Sequence, residues 1–241
     1  MGRNVLVAGG SSGIGRAIAS RFATNGDSVW ITGRNPEKLD HTSAAIGADS
    51  LRCDHSNPAD IEALKLELPR EIDVLVHAVG ANTDRIPPAS EAVDLRELAA
   101  EWHRGLDANL LPAVLTTAAL LPRIGLGGSI IAIGSEATES AATSYGAAKA
   151  ALAAWTAGLS RLVGPRAITV NTVTPNYTEG TDFYSTPLPD QMRSALVAST
   201  HDGRPGTPED VAGAVYFLAS SSARHITAQN LHVSGGIYIT R

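Results

Sequence analysis

Tyr145 and Lys149 stand four residues apart in Ser144-Tyr145-Gly146-Ala147-Ala148-Lys149, and the chain runs on through Ala150, Ala151, Leu152, Ala153 and Ala154. Alanine and leucine favour helix, and Ser144 is placed to cap it. On a helix, residues four apart share a face, so the ammonium lies one turn from the phenol. A nearby cation favours the phenolate and lowers the phenol from its ordinary value near ~10. Such a pair can give or take a proton near neutral pH, which interconversion of a carbonyl and an alcohol requires. An exposed Tyr and a solvated Lys on an amphipathic helix are the plain alternative, and the spacing alone recurs by chance. The elements around the pair decide between them.

The first of those elements is a short apolar run, Val5-Leu6-Val7, which suits a strand buried on both faces. Gly9-Gly10-Ser11-Ser12-Gly13-Ile14-Gly15 follows, and then a helical pattern with Ile14, Ala17, Ile18, Phe22 and Ala23 on one side. Strand, glycine-rich turn and helix place backbone N–H groups and a helix N-terminus where a pyrophosphate can sit. Gly15 lets the helix lie close to the strand. A tight turn without a ligand is the alternative; three glycines in this context weigh toward phosphate binding. The second strand, Ser28 to Thr32, ends at Gly33-Arg34-Asn35-Pro36. An acid there would hold a ribose 2′-hydroxyl, whereas an Arg would accept a 2′-phosphate. Arg34 therefore favours NADP(H) over NAD(H), against the alternative of a surface Arg starting the next helix.

Beyond this point strands and helices alternate. Helices are expected over Pro36–Ile46 and Pro58–Leu68, and strands over Ser50–Cys53 and Ile72–His77. Asp54 and His55 close the third strand, and His77-Ala78-Val79-Gly80 closes the fourth in small residues. Ala81–Ala89, with Pro87-Pro88, reads as a loop, and a long helical stretch from Glu91 to Leu121 is expected to break near Gly105. Asn109 lies in that stretch; taken alone it reads as a core amide. Gly127–Ser135 is the fifth strand, and a Ser at a strand's C-terminal end points toward the crevice where open α/β sheets bind ligands. The helix carrying Lys149 ends near Gly164-Pro165, and Ala167–Val173 is the sixth strand. A proline-bearing region around 178–206 holds one short helical piece and reads as a substrate loop. A helix starts at Thr207-Pro208, and Asn230–Val233 is the last strand. The alternation predicts an α/β fold: a single doubly wound parallel sheet of about seven strands with helices on both faces, over residues 1–241 as one domain.

Composition narrows the function classes. A hydrophobic content of 44% in 241 residues supplies a full core, and a net charge of −5 leaves no basic footprint for nucleic acid. One cysteine, Cys53, excludes an internal disulfide and a cysteine-rich metal site. The seven histidines show no metal-ligand spacing, so no metal is expected. Leu110–Leu121 is apolar but short of a membrane span, and no signal segment is visible, so a cytoplasmic protein without membrane contact is expected.

Taken in order, these motifs resemble the short-chain dehydrogenase/reductase family, in the style of 3-oxoacyl-acyl-carrier-protein reductases and related ketoreductases. Ala8-Gly9-Gly10-Ser11-Ser12-Gly13-Ile14-Gly15 matches the cofactor turn, Tyr145 and Lys149 the Tyr-x-x-x-Lys motif, Ser135 the catalytic Ser and Asn109 the helix Asn. Asn171-Thr172-Val173-Thr174-Pro175-Asn176, Gly203–Ala212 and Ile226–Gly236 match the later motifs.

The resemblance implies that Tyr145 acts as general acid and Ser135 steadies the carbonyl oxygen. It further implies that Lys149 holds the nicotinamide ribose and that Asn109 positions a proton-relaying water. Asp54 and His55 would flank the adenine; Ala78, Val79, Gly80, Pro175 and Thr178 would line the ribose and carboxamide. The implied activity is hydride transfer between NADP(H) and a small-molecule ketone or secondary alcohol, with a β-ketoacyl or polyketide-like compound as a candidate. A homotetramer, or a homodimer, is the implied assembly. An NAD-dependent alcohol dehydrogenase of the same family and a non-catalytic nucleotide-binding scaffold stay open.

The chain also departs from the pattern. Ala8 stands for Thr, His77-Ala78-Val79-Gly80 for Asn-Asn-Ala-Gly, Asn176 for a Gly beside the nicotinamide and Ser234 for an Asp. The Ser135–Tyr145 separation is about three residues short of the family's, in a loop that borders the substrate site.

Overall fold

The computed structural model describes residues 2–84, 94–138, 142–183 and 188–238. The expected helix start at Glu91 and most of the expected loop 81–89 lie outside them.

The elements follow in chain order: β1 (Asn4–Ala8), α1 (Gly13–Thr24), β2 (Ser28–Gly33), α2 (Pro36–Ile46), β3 (Asp49–Arg52), α3 (Pro58–Glu67) and β4 (Ile72–His77). Then come α4 (Leu95–Asn109), α5 (Leu111–Leu120), β5 (Ile124–Ile133), α6 (Ser144–Val163), β6 (Thr169–Pro175), α7 (Asp190–Ala198), α8 (Pro208–Leu218) and β7 (Asn230–Val233). The strands form one parallel sheet in the order β3-β2-β1-β4-β5-β6-β7. The strand order reverses direction between β1 and β4, which opens a crevice beyond their C-terminal ends.

Strand alternation splits the core into two layers. Val5 and Val7 of β1, Val74 and Val76 of β4 and Ile131 and Ile133 of β5 pack with Ile18 and Phe22 of α1, Leu39 of α2 and Val211 and Val215 of α8. Leu6, Leu75 and Ile130 face the other way, against Ile61 and Leu64 of α3, Leu120 of α5 and Val163 of α6. Arg3 ties the first layer at its base: it bonds both carboxylate oxygens of Asp27, reaches the carbonyl of Ala219 and lies 5.1 Å from the ring centres of Phe22 and Tyr216.

Two boundaries differ from the sequence expectation. The long helical stretch breaks at Leu110, not Gly105, because Pro112 sits in the first turn of α5 and cannot continue α4. Gly105 serves a contact instead: a Cβ there would stand 2.7 Å from that of Ser144, so its absence lets α4 lie against α6. The cap of α6 is Thr143, not Ser144; its hydroxyl accepts from the N–H of Gly146 at 3.3 Å. By length and apolarity Leu95–Arg123 would suffice to cross a membrane, but it is broken into α4 and α5, and Ala113, Thr116, Thr117 and Leu120 are buried within the protein.

Candidate active site

The turn after β1 is held by backbone. The N–H groups of Gly9 and Gly10 both donate to the carbonyl of Thr32 on β2, at 2.9 and 3.1 Å. The turn is thus tied to its neighbouring strand without the hydroxyl that Ala8 lacks. Gly9 has φ +85°, and a Cβ there would meet the Ala78–Val79 peptide at 2.8 Å. A Cβ on Gly15 would collide with the carbonyl of Gly9, so α1 starts directly on the turn. Ser12 precedes α1 in extended conformation and its side chain makes no capping bond. The first N–H groups of α1 are therefore left for another acceptor, as a pyrophosphate site needs.

Around the turn, buried polar groups pair with one another. His55 bridges the hydroxyls of Thr32 and Thr116, both at 2.7 Å, and His77 bonds the hydroxyl of Thr117 at 2.8 Å. Burial lowers His55 to about 4 and His77 to about 3, so both are neutral at pH 7. His77 thus replaces the missing Asn with a hydrogen bond of its own. Asp54 accepts from the N–H and hydroxyl of Ser56, which hold its carboxyl below the ordinary range. Cys53 is buried and its thiol pushed up to about 12, so it is no nucleophile.

The catalytic candidates converge from three elements. Lys149 on α6 is buried at the cleft wall and donates to the carbonyl of Ile133 at 2.9 Å. Burial lowers its ammonium to about 8. Its nitrogen stands 5.9 Å from the centre of the Tyr145 ring. Ser135 follows β5, and its hydroxyl accepts from the N–H of Ala137 at 3.2 Å. The Asn109 side chain grips the loop after β4: its oxygen accepts from the N–H of Ala81 at 3.0 Å, and its nitrogen donates to the carbonyls of Ala81 and Gly105 at 3.0 and 3.1 Å. Its amide is a core amide that clamps this loop. A Cβ on Gly80 would lie 2.9 Å from that amide oxygen and 3.0 Å from the Lys149 nitrogen, so Gly80 is what lets the two approach.

One cleft of about 890 Å³ is lined by Gly9, Ser11, Ser12, Gly13, Ile14, Gly15, Arg34, Asp54, His55, Ala78, Val79, Gly80, Ser135, Tyr145, Lys149, Pro175 and Thr178. Of the residues chosen from sequence, Asn109 alone stays behind its wall. A smaller cleft of about 530 Å³ adjoins, with Ser11, Arg34, Asn35, Pro36 and Glu37 around it. Arg34 is exposed and in no hydrogen bond or ion pair among the described residues. Arg204 pairs with Asp210 at the start of α8.

Spacing did not point to Asp84, Thr181, Asp182 or Phe183, which also line the cleft. The Phe183 ring lies 5.3 Å from that of Tyr145, and Asp182 pairs with Lys38 of α2 at 2.6 Å, so this part of the cleft wall touches both α6 and α2. Asn176 lines it too, and its side-chain nitrogen is buried with no hydrogen-bond partner among the described residues. Such an orphan donor in a ligand cleft fits an acceptor brought by the ligand.

Comparison with known proteins agrees with this geometry. Residues 8–238 match the family model described as enoyl-(acyl carrier protein) reductase. The 3-oxoacyl-[acyl-carrier-protein] reductase FabG of Escherichia coli K12 is 35% identical over 249 residues, covering 99% of this chain and 98% of that one. A short-chain dehydrogenase/reductase from Brucella melitensis superposes with a TM-score of 0.87 at 32% identity, over 99% and 97% of the two chains. A Burkholderia cenocepacia short-chain dehydrogenase, solved in complex with NADP, has a TM-score of 0.85 at 30% identity over 98% of each. The chain belongs to the short-chain dehydrogenase/reductase family. That family is one of oxidoreductases that use a nicotinamide cofactor.

Proposed function

We propose that the protein is an NADP(H)-dependent ketoreductase that interconverts a ketone and a secondary alcohol, with β-ketoacyl or polyketide-like compounds as its substrate class. The observation that carries the reading is that an exposed Arg34 and the Tyr145–Lys149 pair lie in the same cleft. The uncapped α1 terminus, the cleft volume and the orphan Asn176 amide fit a dinucleotide. The solved NADP complex of a relative at 30% identity supports the same cofactor.

In the reductive direction the bound nicotinamide would supply hydride to the carbonyl carbon. Tyr145 hydrogen-bonds the carbonyl oxygen and gives it a proton. Ser135 donates a second hydrogen bond to that oxygen as charge gathers there. Lys149, positive at neutral pH and fixed by Ile133, keeps the Tyr145 hydroxyl in a favourable field and would hold the ribose. Gly9–Gly15 and the α1 terminus would take the pyrophosphate, Arg34 the 2′-phosphate, and Asp54 and His55 the adenine flank. The loop around 178–206 would cover the substrate. α4 exposes Leu95, Leu98 and Trp102 in one stripe, which supports assembly with other copies through α4 and α6.

Fluorescence titration with NADPH and with NADH tests the reading. Tight NADPH and weak NADH binding is expected, with Arg34→Ala removing the difference. The opposite preference overturns the 2′-phosphate assignment and points to NAD-linked alcohol oxidation.

A further inference from the structure

The loop that leaves β4 touches the site at every step. Ala78 to Gly80 line the cleft, Ala81 is clamped on both sides by Asn109, and Asp84 lies at the start of α6. There its carboxylate accepts from the backbone N–H of Tyr145 at 3.0 Å and faces the hydroxyl of Ser144 at 3.4 Å. The hydroxyl of Thr83 stands 3.5 Å from the same Ser144 hydroxyl, and the N–H of Asp84 is turned inward onto the side-chain oxygen of Asn82 at 3.1 Å. Thr143 takes the N–H of Gly146 and Asp84 that of Tyr145, so two donors of the first turn of α6 are met by side chains. A carboxylate also suits the positive end of a long helix.

We propose that Asp84 is a positioning residue for the reaction: it fastens the loop after β4 to the backbone of Tyr145 and so fixes the phenol relative to Lys149 and the cofactor wall. The loop runs from Gly80 through Ala81, which Asn109 holds, and on along the backbone to Asp84, whose carboxylate reaches Tyr145. It joins the ligand-lining end of the loop to the proton donor. Small displacement of a reacting group costs rate steeply, whereas the charged anchors of the dinucleotide, the glycine turn and Arg34, lie away from this contact. Loss of Asp84 therefore separates turnover from cofactor affinity.

The rate arm of the test rests on the ketoreductase reading; the exchange arm does not. With NADPH and a small β-ketoacyl thioester, Asp84→Ala is expected to lower kcat roughly 10- to 100-fold. Its NADPH affinity should fall much less, by no more than a few-fold, because the glycine turn and Arg34 are untouched. In the free protein, hydrogen exchange over residues 143–149 should speed up in the same variant. Asp84→Asn keeps an oxygen in place for the N–H and should recover most of the turnover and the protection. If Asp84→Ala does not fold, Asp84→Ser, too short to span the contact, takes its place. Wild-type kcat or unchanged exchange in the truncated variant overturns the proposal. So does an Asn variant as impaired as Ala, since that would assign the effect to charge and not to the bond. If the wild type does not reduce the thioester, the ketoreductase reading fails, and the exchange comparison alone decides Asp84.

Discussion

The two sides of the cleft are built on opposite terms. On the proposed dinucleotide side, at the ends of β1, β2 and β4, backbone bonds close the turn and the buried polar side chains satisfy one another: His55 with two threonines, His77 with a third. On the proposed catalytic side, at the ends of β5 and β6, a lysine ammonium is buried at the cleft wall and a buried amide nitrogen of Asn176 has no partner among the described residues. Burying a charge or leaving a donor unpaired costs free energy. The first side stabilises the fold, and the second gives up stability to hold groups ready for a ligand.

Lys149→Met is the sharpest way to break the contrast. It should remove most turnover, by roughly 10²- to 10⁴-fold as for other acid–base machinery. The free protein should not suffer in proportion. Burial lowers the ammonium from 10.5 to about 8. At pH 7 the amine is charged in both states, so the full burial penalty is present; it is relieved only as pH rises from about 8 to 10.5, where the unfolded chain binds more protons. Removing the charge should offset the lost bond to Ile133 and leave thermal stability at pH 7 equal to or above that of the wild type. A variant that is both inactive and clearly less stable would show that the lysine supports the fold like the histidines do.

A second test stays with backbone. Gly9 and Gly26 have nearly the same left-handed φ, +85° and +83°. A Cβ on Gly26 meets nothing within 4 Å, whereas one on Gly9 meets the Ala78–Val79 peptide at 2.8 Å. Gly26→Ala should cost only the conformational penalty, about 1–2 kcal/mol. Gly9→Ala should cost several kcal/mol more, as overpacking against backbone does, and should lose dinucleotide binding. Chemical denaturation of both variants gives the comparison; equal losses would mean the turn yields easily.

The same contrast explains what was legible beforehand. Glycine spacing reports a backbone that must pass close to something, so the turn after β1, the seven strands and the Tyr145–Lys149 pair could be read from residue types and intervals. Gly105 shows the limit: a glycine in a helical stretch reads as a break, but here it makes room for Ser144 on a neighbouring helix. Asp84 shows it again, since its partner lies 61 residues away and nothing in the polar run Asn82-Thr83-Asp84 points there. A polar Asn109 among leucines is legible as a buried amide, but which backbone it holds depends on how α4 is placed against the loop. Contacts made by side chains across elements follow from packing, and packing is not periodic.

The smallest effect concerns acid. His55 and His77 are neutral in the fold, at about 4 and about 3, and would titrate near the ordinary 6.5 when unfolded. Between pH 6.5 and about 4 the unfolded chain therefore binds up to two more protons than the folded one. Stability contributed by the neutral rings is whole above pH 6.5 and is lost as pH falls toward the folded values, at up to about 1.4 kcal/mol per pH unit for each histidine. His77→Asn can still bond Thr117 and should flatten this slope by about half. Urea unfolding at pH 7 and pH 5 measures it. An unchanged slope would mean that water or local opening reaches His77, and the dinucleotide side would then lose its claim to be the closed, self-satisfied half of the cleft.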